Sequence, residues 1–77
     1  MPTFFIIDGI KVDFYYNDHL PPHFHAISAE NEALIEINSL ETLRGYLPSK
    51  QHQKIVKWAR EKQGILLEIW ESMRQKR

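Results

Sequence analysis

The first half of the chain alternates at a period of two and the second at a period near four. Thr3–Ile7 is a short run of apolar, aromatic and β-branched residues, which favour strands. Asp8-Gly9 follows, a pair suited to a two-residue hairpin because both positions tolerate positive φ. From Ile10 to Tyr16 the pattern alternates. Ile10, Val12, Phe14 and Tyr16 share one face; Lys11, Asp13 and Tyr15 share the other. Asn17 to Pro22 breaks the pattern, since Pro21-Pro22 has no N–H to give a ladder. Extended structure resumes from His23 to Ala29. Glu30-Asn31 suits a tight turn, and Glu32 to Asn38 alternates again, with Ala33, Ile35 and Ile37 against Leu34 and Glu36. Ser39 to Leu47 supports two readings: a helical turn around Leu40 and Leu43, or a fifth, edge strand over Thr42 to Tyr46.

Beyond residue 47 the spacing is helical. Pro48 suits a first turn and Ser49 a cap. Ile55, Ala59, Leu66, Ile69, Trp70 and Met73 form one apolar stripe, with Trp58 beside it. Lys50, Gln53, Lys54, Lys57 and Glu61 lie on the opposite face. Lys62 interrupts the stripe, and Gly64 costs about 1 kcal/mol in a helix interior. The segment is therefore one helix kinked near Gly64 or two helices meeting there. These elements predict an α+β fold in a single domain, residues 1–77. Four or five antiparallel strands are packed on one face by the helical segment. The stripe is expected against Phe4, Ile6, Val12, Phe14, Ile35 and Ile37, although a one-residue slip would turn any strand's set outward.

Size and charge narrow the picture. At 77 residues the core is thin, so a small protein partner or self-association is expected. With no cysteine there is no disulfide, thiol nucleophile or CxxC zinc site. No apolar run approaches the roughly 20 residues of a membrane span, and the N-terminus lacks a basic leader. A soluble, cytoplasmic chain is expected. The formal net charge of zero hides a division. Residues 1–43 carry one base against seven acids, net −6; residues 44–77 carry nine bases against three acids, net +6. Opposite charge on sheet and helices implies attraction within the fold or between chains. The acidic half disfavours a phosphate ligand near its own residues.

That acidic half holds three of the four histidines, in Asp18-His19-Leu20-Pro21-Pro22-His23-Phe24-His25. On a strand, His23 and His25 point to one side with Cβ atoms roughly 6.5–7 Å apart. Two imidazoles at that spacing can converge on one metal ion, with His19 and Asp18 reaching in from the loop. Nitrogen and oxygen donors of this kind suit a divalent transition metal such as Zn or Ni, and also Cu or Fe. The same His19, His23 and His25 can serve as general acid and base in a small ribonuclease or other phosphodiesterase, with Tyr15 or Tyr16 as a further donor. A purely structural polar sheet face is the bland alternative. His52, alone on the helical segment, reads as solvated. Lys50, Lys54 and Lys57 form a basic helix face that nucleic acid could use, although no helix-turn-helix spacing accompanies it.

The run from Tyr16 to Ala26 resembles the signature of the domain-of-unknown-function 4160 family of small prokaryotic proteins. Pro2, Asp18, His19, Pro21, Pro22, His23 and His25 match its pattern of an N-terminal proline, an acidic residue with histidine, and Pro-Pro-His-x-His. The resemblance continues through Ala33–Ile37, Leu47-Pro48, Trp58 and Leu66–Trp70, nearly the whole chain. Gly64 and Ile27 depart from it; Ile27 beside the histidine pair implies a partly buried His face. The family has no assigned activity. Its members resemble components of two-gene, toxin–antitoxin-like systems, which implies a protein partner and leaves nucleic acid open. The expectation is a partner-binding domain with a histidine-rich polar site, the ribonuclease and metal-binding readings standing as alternatives.

Overall fold

Asp8 and Gly9 adopt φ of 50° and 80°, and the tight turn they form begins a meander. The computed structural model describes residues 3–74. Strands β1 (Thr3–Ile7), β2 (Ile10–Asp13), β3 (His23–Ser28), β4 (Asn31–Glu36) and β5 (Thr42–Gly45) form one antiparallel sheet in sequence order. Helices α1 (Ser49–Arg60) and α2 (Gln63–Arg74) follow. The fold is α+β with five strands, and Thr42–Gly45 is the fifth, edge strand.

Residues paired directly across strands share a face, so the register shows what the helices cover. Val12, Ala26 and Ala33 form one row, and Phe24 pairs with Ile35. All are buried, with Ile10, Phe14 and Ile37, against Ile55, Ala59, Leu66, Trp70 and Met73 of the helices. Ile69 is only partly buried at the margin of this core. The expected sets on β2, β4 and the helices therefore hold. The set on β1 does not. Phe5 pairs with Val12 and Ile7 with Ile10, so Phe5 and Ile7 face the core. Ile6 turns outward and is 67% exposed, while Phe4, unpaired at the strand's irregular end, is 39% exposed and sets its ring edge against the buried Phe14 at 5.3 Å. A bulge between Thr3 and Phe5 accompanies this one-residue slip.

Three boundaries also differ from expectation. β2 stops at Asp13 instead of Tyr16: Asn17 takes a φ of 54°, its N–H bonds the Met73 carbonyl at 3.0 Å, and Tyr16 is exposed. The β3–β4 turn is Ala29-Glu30, one residue earlier than Glu30-Asn31, because Ser28 pairs with Asn31. Pro48, not Ser49, occupies the cap of α1, with no side-chain cap bond. The two-helix reading of the C-terminal segment holds, with the junction at Glu61–Lys62, two residues before Gly64. There the N–H groups of Glu61 and Lys62 bond carbonyls three residues back, at Trp58 and Ala59, which tightens the last turn of α1. Gln63 then anchors the junction, its amide donating to the carbonyls of Ile37 (2.8 Å) and Asn38 (3.2 Å).

Two glycines have opposite consequences. Gly45 sits at φ 83°, and a Cβ there would overlap the Glu32 carbonyl oxygen. Gly64 lies in α2, and a Cβ added to it would meet nothing within 4 Å. Gly45→Ala is expected to destabilise by at least the ~1–2 kcal/mol of a left-handed alanine. Gly64→Ala is expected to stabilise by up to about 1 kcal/mol. Urea unfolding of both variants checks the two signs.

Candidate functional site

The helices cover one face of β3, and the segment between β2 and β3 covers part of the other. Four consecutive residues, His23 to Ala26, are therefore buried: Phe24 and Ala26 in the core, His25 on the opposite face, and His23 at the start of the strand, where α2 also reaches it. Tyr15 lies over His25 with ring centroids 4.3 Å apart and planes at 15°. The His23 ring lies 5.2 Å from that of Trp70.

Asp18, carried by the covering segment, is where the two histidines meet. Its Oδ2 lies 3.0 Å from His23 Nε2 and 2.8 Å from His25 Nε2. Its Oδ1 accepts the N–H of His19 at 3.0 Å. The opposite nitrogens are also held: His23 Nδ1 is 2.8 Å from the Pro21 carbonyl, and His25 Nδ1 is 2.9 Å from Glu32 Oε2. One donor atom from each of Asp18, His23 and His25 lies within 4.8 Å of the others.

Burial works against ionisation of Asp18. The hydrogen bond from His25, the charge of His23, the His19 N–H and the charge of His25 outweigh it, and the carboxyl sits below its ordinary value. Burial first, and then the negative charges of Glu32, Asp13 and Asp18, raise the Tyr15 phenol.

An open cleft of about 400 Å³ adjoins the cluster, lined by Asp18, His19, His25, Glu32, Leu34, Arg44 and Gly45. Of the sequence-predicted residues, Asp18, His23 and His25 converge, and Tyr15 packs on them. His19 stays at the rim, its side chain 74% exposed and Nε2 4.0 Å from Asp18 Oδ1. Tyr16 points into solvent. Lys50, Lys54 and Lys57 line a separate groove of about 330 Å³ with Gln53. Lys54 makes the one lysine– or arginine–carboxylate pair among the described residues, 3.6 Å from Asp8. His52 is half-buried and its Nε2 lies 3.0 Å from Thr42 Oγ1.

Glu32 and Arg44 are site residues that the sequence pattern did not single out. Glu32 had one signal: it belongs to the polar side of an alternating strand, opposite the buried Ala33, Ile35 and Ile37. Its closeness to His25 depends on the hairpin register. With the turn at Ala29-Glu30, His25 pairs with Leu34, and Glu32 lies diagonally within reach. Arg44 reaches the cleft because β5 pairs it with Leu34.

A family model described as "Domain of unknown function (DUF4160)" matches residues 9–71, a span that contains every residue lining the cleft. No curated protein and no solved structure matches the chain.

Because the folded Asp18 value is lowered, its stabilising contribution is complete above the ordinary carboxylate value of about 4 and is lost as pH falls through the folded value. In metal-free protein, the difference in Tm between wild type and Asp18→Asn should narrow as the pH is lowered from 5 through this range. Thermal unfolding across a pH series measures it.

Proposed function

The chain belongs to the domain-of-unknown-function 4160 family, whose description assigns no activity, and we propose that it is a metal-binding domain in which Asp18, His23 and His25 hold one divalent transition-metal ion. One observation carries this reading. All four ring nitrogens of His23 and His25 face acceptors: the Pro21 carbonyl, Glu32 and, twice, Asp18. A neutral imidazole has one N–H and one lone pair. Without a cation between them, both buried rings must be doubly protonated to satisfy those partners. A metal ion removes that demand. Each Nδ1–H keeps its acceptor, and each Nε2 lone pair, with Asp18 Oδ2, becomes a ligand.

The surrounding contacts support the same reading. A metal-bound histidine ordinarily donates its other N–H to a carbonyl or a carboxylate, which fixes ring orientation. His23 has the first arrangement and His25 the second. Ligand atoms around a tetrahedral ion stand about 3.3 Å apart. The 2.8 and 3.0 Å separations at Asp18 need a few tenths of an ångström of opening, and the two imidazole nitrogens, within 4.8 Å of each other, must settle to the same spacing. Two imidazoles and a carboxylate suit Zn or Ni. His23 has no exposed side-chain surface, so it acts through the metal or Asp18 and does not touch a substrate. This ranks proton transfer in a ribonuclease below metal binding.

A protein partner or self-association is the second reading, and edge strand β1 favours it. Thr3–Ile7 has no charge and no proline, and it presents Ile6 outward. Unprotected apolar edges of this kind accept a further strand. The finer expectation of a two-gene, toxin–antitoxin-like system rests on the family resemblance. Light scattering at micromolar concentration tests association along β1. Mass above the monomer, lost in Ile6→Lys, is expected; a strict monomer counts against self-association.

Elemental analysis of untagged protein and calorimetric titration with Zn and Ni test the metal site. One equivalent is expected in wild type and none in the double variant His23→Ala/His25→Ala. Glu32→Gln is expected to bind about 10–100-fold more weakly. No stoichiometric metal, and no thermal shift with either ion, would rule the reading out.

A further inference from the structure

The outward face of the sheet carries a row of paired residues: Asp13, His25, Leu34 and Arg44, from β2 to β5. Neighbouring strands are about 4.8 Å apart, so the backbone of Arg44 stands roughly 10 Å from that of His25. Leu34 lies between, and Arg44, Leu34 and His25 all line the open cleft. The backbone that follows Arg44 is held close to β4. Gly45 lies directly on the backbone of Glu32, and the Tyr46 N–H bonds the Glu32 carbonyl at 3.0 Å. Yet among the described residues the Arg44 guanidinium has no carboxylate within 4.0 Å, although Glu32 and Asp18 line the same cleft.

We propose that this cleft takes a small carboxylate-bearing molecule, held at its carboxylate by Arg44 and resting its carbon skeleton on Leu34 beside the metal. The proposal rests on the metal reading for the far end of the site. Arginine's planar fork matches a carboxylate through two parallel N–H bonds. Charge selects the class of anion. With a divalent ion and Arg44 set against Asp18 and Glu32, the cleft carries one net positive charge, which a monoanionic carboxylate neutralises. A phosphate dianion would leave excess negative charge beside Glu32. Three protein ligands also leave the metal open to a further donor from the bound molecule.

Calorimetric titration of propionate and of inorganic phosphate, into metal-free and Zn-loaded protein, tests this. Saturable propionate binding to the Zn-loaded form is expected, tighter than phosphate. Arg44→Gln should weaken it about tenfold or more without weakening Zn binding. Propionate binding that is indifferent to Arg44→Gln, or phosphate binding that is tighter, overturns the proposal while the metal site stands. If wild type takes no Zn, the metal reading has failed, and the metal-free titration still reads Arg44. Arg44-dependent propionate binding there upholds the carboxylate site, and its absence overturns it.

Discussion

A single carboxylate oxygen, Asp18 Oδ2, organises the outward side of this domain. It receives both buried imidazoles, from His23 and His25, within 3.0 Å. The segment from Phe14 to Pro22 must cross β3 to bring Asp18 there, and its path is secured at several points. Phe14 is buried in the core, the Asn17 N–H bonds the end of α2, and the Pro21 carbonyl lies 2.8 Å from His23 Nδ1. Unpaired polar groups at this depth cost a few kcal/mol each, so every nitrogen of the two rings has a partner. The segment is thus a cover for the sheet as well as a connection between strands.

Much of this was legible in the sequence where the information is local. Asp8-Gly9 marks its turn because positive φ is a property of those two residues. The alternation of Ala33, Ile35 and Ile37, and the spacing of Ile55, Ala59, Leu66 and Trp70, identify buried faces because each period belongs to one element. The period of two also placed His23 and His25 on one side of their strand, with Asp18 near enough in sequence to join them. What failed depends on pairing between elements. Phe4 to Ile7 is apolar at every position, so its inward pair is decided by the register with β2, which no period within β1 reveals. Glu32 and Arg44 reach the site through the registers of two hairpins, and a turn moved by one residue would give His25 a different neighbour.

The divided charge works less locally than its totals suggest. Sheet and helix halves differ by sign, yet among the described residues only Lys54 and Asp8 form a close pair between them. Exposed pairs of this kind contribute little. Most of the helical lysines face solvent, on the side of the molecule away from the apolar stripe. The acidic residues divide instead between turns, the sheet's outer surface and the cleft. Two of the seven acids of the first half, Asp18 and Glu32, meet the imidazoles at the outward site.

The position of His23 and His25 on a strand with both faces buried links the site to folding. β3 is the central strand, and Phe24 and Ala26 on its inner side are fully enclosed by the helical layer. A displacement of β3 that separates His23 from His25 must also disturb Phe24 between them. An ion bound to both rings would therefore stabilise the pairing of the sheet as well as the loop carrying Asp18. At a free concentration one hundred times its dissociation constant, an ion that binds only the folded state adds about 2.7 kcal/mol. That is a large part of the stability expected of a domain this small. On the metal reading the outer site would offset a thin core: the helices cover one side of β3 by excluding water, and an ion with its two supporting acceptors would hold the other.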